Sequence, residues 1–233
     1  MTKQERASRT RNALIRSAAQ LFEQQGYVRT GLSAISAGAG VSRGALNFHF
    51  ENKAAMSDAI KSAAARALHR TARQASHEQP DPLQALTDMT HGFAYLLHHD
   101  VVVRAGFQLN VDAAQSSGLD LRQEWQGCVQ HYVALAAEEK RLVPGVSRES
   151  VVTAVVSATV GMEVLSRRNK EWLSRSTLTR FWRQLLSVIA TEQARADTAP
   201  EGSQALFDQL ALLPRQSAPQ ETSANGTDAR VDR

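Results

Sequence analysis

Apolar side chains recur every three or four positions along most of the chain, the spacing of one face of an α-helix. The first such stretch contains Leu14, Ile15, Ala18, Ala19, Leu21 and Phe22. Gly26 follows, and a glycine there favours a left-handed helix end. We find no strand-like alternation and no repeat of about 20–50 residues. The pattern therefore predicts an all-α protein.

Two short helices are predicted next, over 32–39 and from Ser42 to about His49. Thr30 or Ser33 is expected to cap the first of them, because a hydroxyl can accept from free N–H groups at a helix start. A longer helix is predicted from near Lys53 toward Gln74. Segment 76–82 contains two prolines and is expected to end it.

The remaining helices are predicted over 82–98, 101–110, 119–142, 148–170 and 174–195. From about residue 198 the composition shifts to small and polar residues. One short amphipathic helix is possible over 206–213, and 214–233 has too little apolar content to offset the entropy of ordering. We therefore predict a three-helix helix-turn-helix domain over 7–67, with its motif at about 31–50. We predict that a helical ligand-binding and dimerisation domain follows over 76–196. A largely disordered tail is predicted over 197–233.

The charge is unevenly distributed between these parts. Residues 1–75 hold 12 Lys and Arg against 4 Asp and Glu, whereas 76–233 hold 15 against 19. A basic module joined to a mildly acidic one is typical of a nucleic-acid binder, although a solvated basic face would give the same balance.

The stretch from Thr30 to Phe50 has the features of a DNA-reading helix pair. Gly40 stands where a tight helix-helix turn needs a positive φ, and Ser42 can cap the second helix or face a phosphate. Arg43, Gly44, Asn47 and Phe48 are expected on its exposed side. Arginine reads guanine and asparagine reads adenine in the major groove, Gly44 allows close approach of the backbone, and Lys53 is expected to contact a phosphate.

This stretch resembles the TetR family of repressors over about residues 7–65. The residues in register are Gly26, Tyr27, Thr30, Ile35, Ala39, Gly40, Val41, Ser42, Gly44, Leu46, His49, Phe50 and Lys53. The resemblance implies a dimer on a palindromic double-stranded DNA operator, with Thr30 and His49 also in the DNA-binding set. Two positions depart from the family pattern: Ser36 replaces the usual alanine, and Asn47 replaces a tyrosine that commonly touches the DNA backbone. Asn47 then either contacts a base, lowers affinity or changes the operator.

The C-terminal part looks like the γ-butyrolactone receptors and pseudo-receptors of actinomycetes. The similar stretches are 45–53, 104–109 and 161–166, with an isolated Trp125. The resemblance implies a pocket that includes Trp125 and takes a butyrolactone-type autoregulator or an antibiotic. Apolar residues at suitable positions, together with Gln108, complete the predicted ligand set: Phe93, Leu97, Phe107, Gln108, Val129 and Met162. His131 and Tyr132 are further polar candidates. Apart from Trp125, these residues would equally suit a plain core.

The last two predicted helices are candidates for a dimer interface. The first carries the small residues Ala154, Ala158 and Gly161 in an apolar stretch, which allows close helix approach. The second carries Phe181, Leu185, Leu186 and Ile189. Two helices from each subunit would form a four-helix bundle, although an intramolecular core would give the same stripe.

Other function classes find little support in the sequence. It lacks the common hydrolase, zinc-protease and phosphate-loop motifs, and His91, His98 and His99 have no obvious convergent ligand, so we expect no enzyme, cofactor or metal. The single cysteine, Cys128, suits a packed thiol and a cytoplasmic protein. We expect no membrane span, because no apolar run approaches about 18–20 residues. A regulator acting through protein partners and a ligand-independent DNA-binding protein stay as alternatives.

Overall fold

The computed structural model describes residues 2–78, 81–110 and 118–212, without the side chains of 76–78, 209, 211 and 212. Within these residues the chain forms eleven α-helices, one short 3₁₀ helix and no strand, as the all-α prediction requires. The helices are α1 Lys3–Gln25, α2 Leu32–Gly38, α3 Arg43–His49, α4 Lys53–Glu78, α5 Pro82–His99, α6 Val101–Leu109, α7 Leu121–Glu138, α8 Arg148–Ser166, α9 Arg175–Ile189, α10 Glu192–Asp197 and α11 Gln204–Leu212.

The N-terminal core is built by α1 to α3, the start of α4 and one face of α6. Leu14, Ile35 and Leu46 are fully buried there. Val101, Ala105 and Leu109 of α6 belong to the same apolar cluster. The helix-turn-helix domain predicted over 7–67 therefore shares its core with a helix outside those bounds.

The second core lies between α4, α5, α7, α8 and α9, and the opposite face of α6 contributes Val103 and Phe107 to it. Helix α5 is its central element, with residues 82–94 buried without interruption. Asp81 caps α5 by accepting from the backbone N–H groups of Leu83 and Gln84, which fixes the helix start at Pro82.

Several helix ends differ from the prediction because of local caps and pairings. Helix α4 continues to Glu78, beyond the predicted end at Gln74. Helix α7 begins only at Leu121, because the carboxylate of Asp120 accepts from the N–H groups of Arg122 and Gln123, and it ends at Glu138. Helix α8 ends at Ser166, four residues before its predicted end, and the separate 3₁₀ helix Lys170–Leu173 follows after a turn.

The predicted helix over 174–195 is divided in two. Ala190 has an extended backbone and forms an antiparallel bridge with Leu142. Thr191 then caps α10 by accepting from the N–H of Ala194. A bridge between residues so far apart in sequence cannot be read from helical periodicity.

The prediction of a largely disordered tail from residue 197 is wrong for its first part. Helix α11 packs on α5, and its Leu206 and Leu210 are 6% and 5% exposed. Buried Asp88 accepts hydrogen bonds from the backbone N–H and hydroxyl of Ser203, at 2.8 and 2.5 Å. Residues 213–233, which include most of the predicted disordered stretch, lie outside the described residues.

Candidate functional site

The turn between α2 and α3 has the predicted helix-turn-helix geometry. Gly40 has φ +67°, a left-handed conformation that glycine adopts at the lowest cost. The hydroxyl of Ser42 caps α3 by accepting from the N–H of Ala45 at 3.1 Å. Leu46 anchors α3 in the N-terminal core and is fully buried. The opposite side of α3 is exposed.

Four predicted DNA-binding residues share this open side of α3: Arg43, Gly44, Asn47 and Phe48. Phe48 is 80% exposed, which is unusual for so large an apolar side chain. Arg43 donates to the hydroxyl of Ser33 on α2 at 2.6 Å, so one nitrogen of its guanidinium is held. His49 is partly buried and lies edge-on to the ring of Phe48.

Thr30 and Lys53 have roles inside the domain. Thr30 is 2% exposed, and its hydroxyl donates to the carbonyls of Leu21 and Gly26. The ammonium of Lys53 donates to the carbonyls of Tyr27, Val28 and Thr30 at 2.8–3.2 Å. Both side chains hold the loop between α1 and α2, so we remove them from the expected DNA contacts.

Neither Thr30 nor Ser33 caps α2, contrary to the prediction. The residue at the cap is Gly31, which supplies no side-chain hydrogen bond. Ser33 instead lies in the first turn of α2 and accepts from Arg43. Its hydroxyl therefore ties α2 to α3, a contact that no local pattern indicates.

Trp125 of α7 lies at the centre of the second core and is 1% exposed. Its ring stacks on Phe93 with centroids 4.3 Å apart, and Phe93 is tilted against Phe107 at 5.2 Å. The indole N–H donates to the hydroxyl of Thr159 at 2.8 Å. Val129 and Met162 are also buried in this core, so five of the predicted ligand residues form a closely packed group.

Leu97 is buried in the same core. Together with Gln108 it also lines a separate cleft of about 300 Å³ between α1, α5, α6 and α8. His131 and Tyr132 line a different cleft of about 470 Å³ between α4 and α7. Cys128 contributes to that second cleft, and burial raises the pKa of its thiol, with the charge of Glu124 as a smaller cause. A raised pKa keeps the thiol protonated and poorly reactive.

The outer surfaces of α8 and α9 are mixed, with a few exposed apolar side chains among polar and charged ones. Val164 and Leu165 are 45% and 46% exposed, and Val188 is 62% exposed. Ala154, Ala158, Gly161, Phe181 and Leu185 are half-buried on these helices, whereas Leu186 and Ile189 are buried inside. A group of exposed apolar side chains commonly marks a protein contact.

The sequence predicts no segment long enough to span a membrane, but by length and composition alone α8 is one among the described residues. In the structure 33% of this stretch is buried. Its inner face carries Glu163, which is 4% exposed and ion-paired with Arg122 and Arg167. No group of three or more potential metal ligands occurs among the described residues.

Known proteins resemble both parts of the chain. Residues 14–60 match the family described as bacterial regulatory proteins, tetR family. The A-factor receptor protein of Streptomyces griseus is 29% identical over 203 residues, which are 87% of this chain and 71% of that protein.

Two solved structures extend the similarity to the whole fold. The crystal structure of an ArpA-like gamma-butyrolactone receptor has a TM-score of 0.74 and 28% identity, covering 87% of this chain and 99% of that one. CprB of Streptomyces coelicolor, described as a TetR family protein and solved with its biological operator sequence, has a TM-score of 0.69 and 30% identity. That match covers 82% of this chain and 94% of CprB.

Proposed function

Because the chain belongs to the TetR family of regulators, we propose that it is a homodimeric transcriptional repressor that acts in the cytoplasm on a palindromic operator. A small molecule releases it, and we infer a γ-butyrolactone-type autoregulator or an antibiotic, with antibiotic biosynthesis as the controlled process. The exposed side of α3 carries the proposal, because it presents Arg43 and Asn47 from a helix that is otherwise anchored in the core.

In this proposal α3 enters the major groove of DNA. Arg43 pairs with a guanine, and Asn47 reads an adenine instead of making the backbone contact of the usual tyrosine. Gly44 leaves the backbone of α3 uncovered, with only the Ser42 hydroxyl within 4 Å of a built Cβ, at 3.8 Å. Phe48, exposed beside Asn47, is suited to apolar contact with a thymine methyl group.

In this proposal, dimerisation through α8 and α9 allows the protein to bind both halves of a palindromic operator. Their outer surfaces hold Val164, Leu165 and Val188, which are the exposed apolar residues that a second copy of the chain would cover. A twofold dimer places two α3 helices about one DNA turn apart, as in other helix-turn-helix repressors.

Release follows from the two faces of α6. Phe107 of α6 packs on Phe93 in the aromatic group around Trp125, while Ala105 and Leu109 pack in the N-terminal core. An effector that inserts beside Trp125 must separate these packed rings and so displaces α6. It lowers operator affinity only as far as it prefers the displaced arrangement.

A mobility shift of the purified protein on its own upstream DNA, at a stated salt concentration, is the direct test. We expect a specific shift that Arg43→Ala weakens about fivefold or more, from the about 1–3 kcal/mol that a bidentate base contact supplies. Arg195→Ala, which removes an exposed arginine of α10, is the matched control. Asn47→Tyr restores the family residue and shows whether a weak shift comes from Asn47.

The effector and the oligomeric state are measured separately. Butyrolactones and antibiotics are screened for release of the shifted band, and sedimentation velocity gives the mass in solution. A monomer, or an operator complex indifferent to Arg43→Ala, would contradict the proposal and favour a regulator that acts through a protein partner. An operator complex that no candidate effector releases would favour ligand-independent binding.

A further inference from the structure

The cleft of about 300 Å³ lies where the N-terminal helices meet the regulatory helices. Its wall includes Glu23 of α1, Arg104 and Gln108 of α6, Glu163 of α8, Arg167 just after α8, and Lys170 of the 3₁₀ helix. This volume is at the lower end of the range for small-molecule sites. The wall is polar and charged, unlike the aromatic group around Trp125, so the two places suit different ligands.

Positive charge exceeds negative charge in this wall. The three cations Arg104, Arg167 and Lys170 face only two carboxylates. One carboxylate, Glu163, is 4% exposed and already accepts from Arg167 at 2.6 Å and from Arg122 at 3.0 Å. The other, Glu23, is taken by Arg104 through two bonds of 2.5 and 3.3 Å.

Lys170 keeps an unneutralised charge beside these pairs. Among the described residues its ammonium has no hydrogen bond or salt bridge. Lys170 is exposed at the rim of the cleft. Its partial burial there lowers its pKa, and the nearby Arg104 charge lowers it further against the opposing effect of Glu23. A bound anion would supply a countercharge at this position.

We infer that the cleft binds a small anion with a carboxylate or phosphate group, which Lys170 attracts and which replaces Glu23 on Arg104. The guanidinium fork of arginine forms paired bonds equally well with either kind of group. Arg104 stays oriented during the exchange, because its Nη1 also donates to the carbonyls of Leu97 and His98 at 3.3 and 3.0 Å.

The exchange has a consequence for DNA binding. Among the described residues, Arg104–Glu23 is the salt bridge that joins α1 to α6. An anion that takes over Arg104 therefore removes this ion pair and leaves the apolar packing of α6 to hold the N-terminal domain on the shared helix. This control acts at a place separate from the aromatic group and rests on different residues.

Calorimetric titration of the full chain with citrate, and in a second arm with inorganic phosphate, tests the site. Both arms use chloride buffers of fixed ionic strength. We expect saturable binding in at least one arm, which also identifies the preferred kind of anion. Lys170→Gln should weaken it at least tenfold, whereas Arg168→Gln, which removes a neighbouring exposed charge outside the cleft wall, should change it less than twofold.

The anion affinity of the Glu23→Gln variant distinguishes the exchange from a purely structural role of Glu23. Removing the competing carboxylate should tighten anion binding by threefold or more, whereas a merely structural Glu23 would weaken or preserve it. No binding in either arm, or equal losses in Lys170→Gln and Arg168→Gln, would overturn the inference.

The link to DNA is measured on an operator probe. The saturating anion should weaken operator binding of the unmodified protein and leave the Glu23→Gln variant unaffected; equal effects on both would refute the exchange. Because the calorimetric result needs no DNA, failure of this site and failure of the proposed repressor function are distinguishable. Trp125→Phe should keep the anion affinity, since Trp125 is not in the cleft wall.

Discussion

Gly106 sets the distance between α6 and α4, the two helices that connect the DNA-binding and regulatory parts. A Cβ atom added at Gly106 would lie 2.8 Å from the Cβ of Ala64 on α4 and 3.1 Å from a methyl group of Leu121. The Leu121 side chain can rotate, but the Cβ of Ala64 is fixed to its backbone. Gly106→Ala therefore forces α4 and α6 apart.

The change in the free energy of unfolding for Gly106→Ala is the sum of two opposing contributions. Overpacking of a well-packed core costs about 1–3 kcal/mol, while replacing glycine by alanine inside a helix gains about 1 kcal/mol. Gly127→Ala in the middle of α7 is the matched control, because nothing lies within 4 Å of its added Cβ. The control should gain about 0.5–1 kcal/mol, so Gly106→Ala should be less stable than Gly127→Ala by about 1–3 kcal/mol.

Urea unfolding followed by circular dichroism measures both variants at one protein concentration, since a dimer's stability depends on concentration. The double variant Ala64→Gly/Gly106→Ala moves the methyl group to the other helix and should recover at least about 1 kcal/mol in a double-mutant cycle. Equal stabilities for Gly106→Ala and Gly127→Ala, or a cycle without coupling, would refute the close-contact argument.

Three further predictions concern buried polar groups. Thr159→Val removes the acceptor of the Trp125 indole N–H and should cost about 1–3 kcal/mol in urea unfolding, whereas Thr159→Ser keeps the hydroxyl and should cost less. Asp88→Ala removes the acceptor for both groups of Ser203, so α11 should be cut faster in limited proteolysis while the earlier helices stay protected. Burial lowers the pKa of His91 below its usual value of about 6.5. The unfolded chain therefore binds a proton more readily, and stability should fall as the pH drops below about 6.5; His91→Gln should reduce this slope in unfolding measured from pH 7 to 5.

Features set by near neighbours could be predicted from the sequence. Gly40 and Ser42 act within a few residues of their own positions, and the structure gives both their expected conformations. Helical periodicity predicts most buried positions of α1, but not Ser17, whose hydroxyl donates to the carbonyl of Ile35. Helix ends were less predictable where a cap such as Asp120 decides the first turn, because several polar residues near that point could serve.

Contacts between distant parts of the chain could not be predicted. The position of Lys53 at the start of the helix after α3 predicts a phosphate contact, yet its ammonium donates to carbonyls more than twenty positions earlier. The composition after residue 197 predicts a largely disordered tail with one possible short helix over 206–213, which corresponds to α11. Asp88, which lies 115 positions before Ser203, accepts the hydrogen bonds that hold part of this segment on α5.

Helix α6 joins the DNA-binding and regulatory parts, which the sequence analysis treats as two separate domains. Helical periodicity predicts that α6 is a single amphipathic helix with one buried face. In the structure its nine residues contribute side chains to two different cores. Phe107 packs against the aromatic group around Trp125, and Ala105 packs under the helix-turn-helix. A rigid helix held on both sides cannot shift in one core without disturbing the other. An effector near Trp125 and an anion at Arg104 would therefore act on the same element, one through packing and the other through charge.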